Sequence, residues 1–173
     1  MTNPLFYAKI LLFGEYGIIE DSQGLTLPYS FYKGTLKFSE LESDFEKKSN
    51  DSLLKYSEYL KDLQLPETFQ LNISKFKKDI KKGLFFDSNI PQGYGVGSSG
   101  ALVAAIFEKY SVKNYEPEQV SKDELKNLRT IFGQMESYFH GKSSGIDPLI
   151  CYMNLPILIE SKDSVDKVSV PAS

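Results

Sequence analysis

From residue 91 the chain reads Pro-Gln-Gly-Tyr-Gly-Val-Gly-Ser-Ser-Gly-Ala. Glycines in such a run let backbone amides crowd around an anion without Cβ obstruction. A helix opening immediately after it would add the partial positive charge of its N-terminus. The hydroxyls of Ser98 and Ser99 then fall in the first turn, within reach of a phosphate or a metal. The chemistry is that of a phosphate cradle. On the loop alone three assignments compete. A Walker A loop needs a Lys-Ser/Thr pair after its last glycine, and none stands here. Gly95-Val-Gly-Ser-Ser-Gly100 fits the G-x-G-x-x-G pattern of dinucleotide folds, which requires a second strand ending in an acidic residue about 20 residues on. That region reads Val-Lys-Asn-Tyr-Glu-Pro-Glu from residue 112, too polar and proline-broken for a central strand. The third assignment is a tight turn that binds nothing.

Three further side chains carry chemical potential. Glu136 stands beside Met135 and one turn from Phe132 and His140, at the edge of an apolar stripe where a carboxylate is partly desolvated and needs a partner. The plain alternative is a boundary glutamate paired with His140, the single histidine, at i+4. Lys9 is a lone charge in an apolar run and should find an anion, unless its stem carries the ammonium to the sheet edge. Cys151, the only cysteine, lies among apolar residues and reads as a buried, inert thiol.

These residues must be positioned by the elements around them. Residues 5–13 are almost continuously apolar and predict a strand buried on both faces. Residues 14–24 form a loop, and 25–38 alternate with a break at Gly34, predicting two strands or a bent hairpin. Helices are expected over 50–63, capped by Asn50 or Asp51, and over 74–82, ending at Gly83. A strand over 84–90 leads into the glycine-rich loop and a small-residue helix over 101–110. Ser121 and Glu124 form a capping-box signature. The helix they open carries Leu125, Leu128, Phe132, Met135 and Phe139 on one face and stops at Gly141. After a loop at 142–147, residues 148–160 have the apolar character of strands.

The whole chain of 173 residues is 41% hydrophobic and 25% charged, a balance that supports one ordinary domain with a core. Its net charge of −3 argues against a nucleic-acid partner gripped through phosphates. The lysines at 75–82 are interrupted by Phe76, Asp79 and Ile80, as on a solvated helix face. No apolar stretch approaches the roughly 20 residues of a membrane span, and the N-terminus lacks the features of a signal peptide. A cytoplasmic location is expected, in keeping with the single cysteine.

The loop at 91–101 resembles the P-x-G-x-G-L-G-S-S-A-A loop of GHMP kinases, with Val96 for Leu and Gly100 for Ala. Residues 136–147, Glu-Ser-Tyr-Phe-His-Gly-Lys-Ser-Ser-Gly-Ile-Asp, resemble the E-x-x-x-H-G-x-P-S-G-x-D segment of the mevalonate kinases in that family, with Ser143 for Pro. A first-strand lysine followed by G-E-H is also similar: Lys9-Ile-Leu-Leu-Phe-Gly-Glu15-Tyr16 keeps the lysine, glycine and glutamate and replaces the histidine by Tyr16. The resemblance implies that Gly95, Val96, Gly97, Ser98, Ser99 and Gly100 hold the phosphates of ATP. It implies Ser99 and Glu136 as ligands of Mg²⁺, and Asp147 as the acceptor of the substrate hydroxyl's proton. Lys9 would lower the pKa of that hydroxyl, and Glu15, Tyr16 and His140 would lie near the substrate.

The implied fold is α+β, like the second domain of ribosomal protein S5. Residues 1–160 would form the ATP-binding domain, and 161–173 would begin the connection to a C-terminal ferredoxin-like domain. The 26 residues after Asp147 contain no glycine, so that domain and its further glycine-rich motif are expected to be absent, and the chain alone inactive. The implied activity is ATP-dependent phosphorylation of a small-molecule alcohol, mevalonate to 5-phosphomevalonate, with a homodimer allowed. Phosphomevalonate kinase, a non-catalytic nucleotide-binding module and a dinucleotide-dependent oxidoreductase are the alternatives.

Overall fold

The computed structural model describes residues 3–14, 23–161 and 164–168. Among these residues five strands and five α-helices follow one another as β1 (Phe6–Phe13), β2 (Gly24–Phe38), α1 (Asp44–Asp62), α2 (Ile73–Lys81), β3 (Leu84–Ser88), α3 (Ser98–Tyr110), α4 (Lys122–His140), α5 (Ile146–Met153), β4 (Ile157–Ser161) and β5 (Ser164–Lys167). All strand pairings are antiparallel, so the fold is α+β as the sequence predicts.

The sheet is organised by β2, a single strand of 15 residues. β1 pairs along one of its edges, while β4 takes Gly24–Thr26 and β3 takes Gly34–Phe38 on the other. The expected break at Gly34 does not occur. A Cβ there would lie 2.2 Å from the Phe86 ring, so this glycine serves close packing across β2 and β3 and not a turn. β1 is buried on the inner side at Phe6 and Ala8, but Leu12 and Phe13 are exposed, which corrects the expectation of burial on both faces.

The helices cover the sheet around α3. Ala101, Val103, Ala104, Ala105, Ile106 and Phe107 are all essentially inaccessible; the small residues let neighbouring backbones approach on every side. Phe107 meets Phe132 of α4 and Tyr152 of α5 edge-on, at 5.0 and 5.4 Å between ring centroids, a favourable aromatic geometry. α4 begins at the expected capping box, with Ser121 accepting from the Glu124 amide and the Glu124 carboxylate accepting from the Ser121 amide.

Two helices differ from expectation. α1 starts at Asp44 because Ser43 and Glu46 form a second capping box; Asn50 lies inside the helix and donates to the carbonyls of Ile80 and Leu84 at 2.9 and 2.6 Å. Residues 148–153, expected as strand, and residues 146–147, expected as loop, form α5. Its N-cap Gly145 and C-cap Asn154 are both left-handed, and Pro148 falls in the first turn, where a missing N–H costs nothing.

Candidate functional site

The glycine-rich loop joins β3 to α3 with Gly93, Gly95 and Gly97 at φ +81°, +68° and +84°. These left-handed values favour glycine over any other residue. Gly97 is the N-cap of α3, so no side chain caps the first-turn amides and they remain available to an anion. The loop is tied to β1, where the Lys9 amide donates to the Val96 carbonyl at 3.0 Å. A Cβ on Gly97 would come within 3.0 Å of the Lys9 Cγ, so the loop and the Lys9 stem are packed against each other.

The Lys9 ammonium does not run to the sheet edge. It forms an ion pair with Asp147 Oδ1 at 3.0 Å, and the lysine side chain is 12% exposed. Asp147 occupies the first turn of α5, where the helix dipole favours a carboxylate. Gly100 sets how closely it approaches: a Cβ at this position would lie 2.7 Å from the Asp147 carbonyl carbon and 3.0 Å from the Asp147 Cβ. The Gly100 that departs from the resembled loop therefore lets α3 and α5 touch at the base of the cleft.

On the other side of the loop, Ser99 donates to Glu136 Oε1 at 2.8 Å. Its Oγ lies 3.0 Å from His140 Nε2. With the hydroxyl proton directed to the carboxylate, the histidine must donate from Nε2. Glu136 and His140 are thus bridged through Ser99 and not joined as an i,i+4 pair. Glu136 is 3% exposed. Burial raises its carboxyl above the usual carboxylate range, opposed by the hydrogen bonds from Ser143 and Ser99.

Gly95, Gly97, Ser99, His140 and Asp147 line one cleft of about 820 Å³, a size suited to a small ligand. Phe45, Lys48 and Ser52 of α1 form another part of its wall. The α1 wall was not foreseen from the sequence; the Ser43-x-x-Glu46 capping box is the signal that would have extended α1 to reach it. Glu15 and Tyr16 lie outside the described residues. Cys151 is buried as expected, its thiol pushed well up by burial, and a Cβ on Gly97 would meet its Sγ at 3.5 Å.

The donor set suits Mg²⁺. Ser99 and Glu136 present hard oxygen donors beside the cradle, and Mg²⁺ is commonly held by one or two carboxylates together with ligand phosphates. Among the described residues no group of three or more His, Cys, Asp or Glu could hold a metal unaided, so a cation here would depend on phosphate oxygens. Among the described residues, too, no helix is long and apolar enough to cross a membrane.

The model of the GHMP kinases N-terminal domain matches residues 58–154. No curated protein sequence matches the chain. Solved structures of similar fold include a mevalonate kinase with TM-score 0.58 and 14% identity, in which 98% of this chain covers 56% of that one. The Methanococcus jannaschii mevalonate kinase gives 0.56 and 13%, with 98% and 56% covered. That of methicillin-resistant Staphylococcus aureus gives 0.53 and 17%, with 99% and 57% covered. At these identities the likeness is one of fold, and the chain spans little more than half the length of these structures.

Proposed function

The chain belongs to the GHMP kinase family of small-molecule kinases, and on that premise we propose that it supplies the nucleotide-binding part of an ATP-dependent phosphotransferase whose acceptor is the hydroxyl of mevalonate. In this reading residues 1–160 are the ATP-binding domain and 161–173 lead toward the remainder of the enzyme. The observation that carries it is the pairing of Ser99 with Glu136 and of Lys9 with Asp147 on either side of one phosphate cradle.

Phosphoryl transfer needs positioning and charge neutralisation more than covalent help from the protein. The first-turn amides of α3 and the glycine-rich loop hold the phosphate oxygens. Ser99 and Glu136 hold Mg²⁺, which when bound offsets the charge on those oxygens. Asp147 accepts the proton of the attacking hydroxyl. Lys9, fixed on Asp147, lowers that hydroxyl's pKa and orients the carboxylate. His140, expected near the acceptor, donates to Ser99 and steadies the cation side of the cleft.

Glu136→Gln tests the assignment. It keeps an oxygen to accept from Ser99 but removes the charge. In calorimetric titrations with ATP, magnesium should tighten binding to the wild type, and the variant should lose about 10- to 100-fold of that gain. An unchanged magnesium dependence would make Glu136 a structural residue only. A second reading is a nucleotide-binding module without turnover of its own. It predicts MgATP binding without phosphorylation of mevalonate.

A further inference from the structure

Glu136 has two carboxylate oxygens, and the cradle accounts for only one. Oε2 accepts from the Ser143 hydroxyl at 2.5 Å, the short distance of a charge-assisted O–H···O⁻ bond. The Ser143 Oγ also accepts from the Gly145 amide at 3.0 Å, so one lone pair is engaged from the loop while its proton is directed to the carboxylate. The Ser143 amide in turn donates to Ser137 Oγ at 3.2 Å, and Ser137 donates to the Gly133 carbonyl at 2.7 Å. Gly133 leaves room for this fold-back: a Cβ there would lie 3.0 Å from the Ser143 carbonyl oxygen. The loop between α4 and α5 is therefore clipped onto the last turns of α4 with one hydroxyl aimed at Glu136.

We propose that Ser143 is a positioning residue that holds Glu136 Oε2 and so fixes Oε1 against Ser99, presenting a single oriented oxygen to a cation bound with the nucleotide phosphates. The inference rests on the reading of Ser99 and Glu136 as the cation site. Its physical basis is that a buried carboxylate with one oxygen unpaired would either rotate or recruit a water. Either response would blur the orientation of Oε1.

The test uses the 173-residue chain with ADP as probe, titrated calorimetrically in magnesium and in EDTA, and with Mn²⁺ bound in the presence of ADP followed by electron paramagnetic resonance. Ser143→Ala should lose about 10-fold or more of the magnesium-dependent gain in ADP affinity and weaken Mn²⁺ binding in parallel, with ADP affinity in EDTA unchanged. Ser143→Thr, which keeps the hydroxyl, should stay within about threefold of wild type. If Ser143→Ala does not fold, the isosteric pair Ser143→Thr and Ser143→Val provides the same comparison. A variant without the hydroxyl that keeps the full magnesium gain would overturn the proposal while leaving the cation site intact. A wild-type chain that binds ADP equally in magnesium and EDTA would overturn both.

Discussion

Replacing Asp147 by asparagine is expected to lower phosphoryl transfer from MgATP to mevalonate, by the enzyme whose nucleotide-binding part this chain is proposed to supply, on the order of 10²- to 10⁴-fold, the contribution typical of a positioned general base. Asparagine conserves the shape of the side chain and its place in the first turn of α5, beside the Gly100 contact that seats it. It cannot take a proton from the acceptor, and it leaves the Lys9 ammonium, 3.0 Å away, without its carboxylate. Binding of MgATP should remain within about threefold of wild type, because the loop amides, Ser99 and Glu136 are untouched and one nearby negative charge is removed. Separate measurements of turnover and of nucleotide affinity check this. Transfer within tenfold of the wild-type rate would remove Asp147 from the proposed chemistry.

Gly145→Ala should have a large effect on stability. Gly145 is the N-cap of α5 at φ +74°, and a Cβ there would lie 1.9 Å from the Arg129 carbonyl oxygen and 2.7 Å from the Gly133 amide nitrogen. Both are backbone atoms of α4 and cannot swing aside. Left-handed strain in a non-glycine residue costs about 1–3 kcal/mol, and overpacking a filled site costs a similar amount. A loss of about 3 kcal/mol corresponds to a fall in Tm of roughly 10 °C for a chain of this size. The same shift would loosen the anchor between α4 and the loop, where Arg129 Nε donates to the Ser144 carbonyl at 3.1 Å. Gly93→Ala is the control: its φ is also positive, but open space surrounds the added methyl, so it should lose only about 1 kcal/mol. Equal melting temperatures for the two variants would contradict the steric argument at Gly145.

What could be read from the sequence was what is written locally. The loop at 91–100 announces itself through glycine spacing, and α4 through Ser121, Glu124 and an apolar stripe, since capping and periodicity are properties of neighbouring residues. α5 is not legible as a helix because Leu149, Ile150, Cys151, Tyr152 and Met153 are all buried; a helix enclosed on every side shows no helical period, and its apolar residues also suit strands. α1 begins earlier than its sequence suggests because Asn50 has the character of a cap, whereas its amide serves the carbonyls of Ile80 and Leu84 across the fold. Gly34 looked like a turn for the same reason: the Phe86 ring that demands it is distant in sequence.

At the site, the residues stand out by type, and it is the resemblance, not their neighbours in sequence, that places Lys9 with Asp147 and Ser99 with Glu136. Nothing near Lys9 in sequence points to Asp147, and the i+4 spacing of Glu136 and His140 suggested a direct pair where the fold inserts Ser99. Ser143 is silent in the sequence because a loop serine is ordinary. Its significance lies in the 2.5 Å bond to a carboxylate that the helix has buried.

Titrating the chain with adenosine, AMP, ADP and ATP, each with magnesium and with EDTA, and with NAD for comparison, measures whether the cleft is a magnesium-dependent polyphosphate site. Affinity should rise from AMP to ATP, magnesium should strengthen only the di- and triphosphate, and NAD should bind more weakly than ATP. AMP or NAD binding as tightly as MgATP, or no nucleotide binding at all, would contradict the assignment of the 91–100 loop, Ser99 and Glu136 to a kinase's phosphoryl donor.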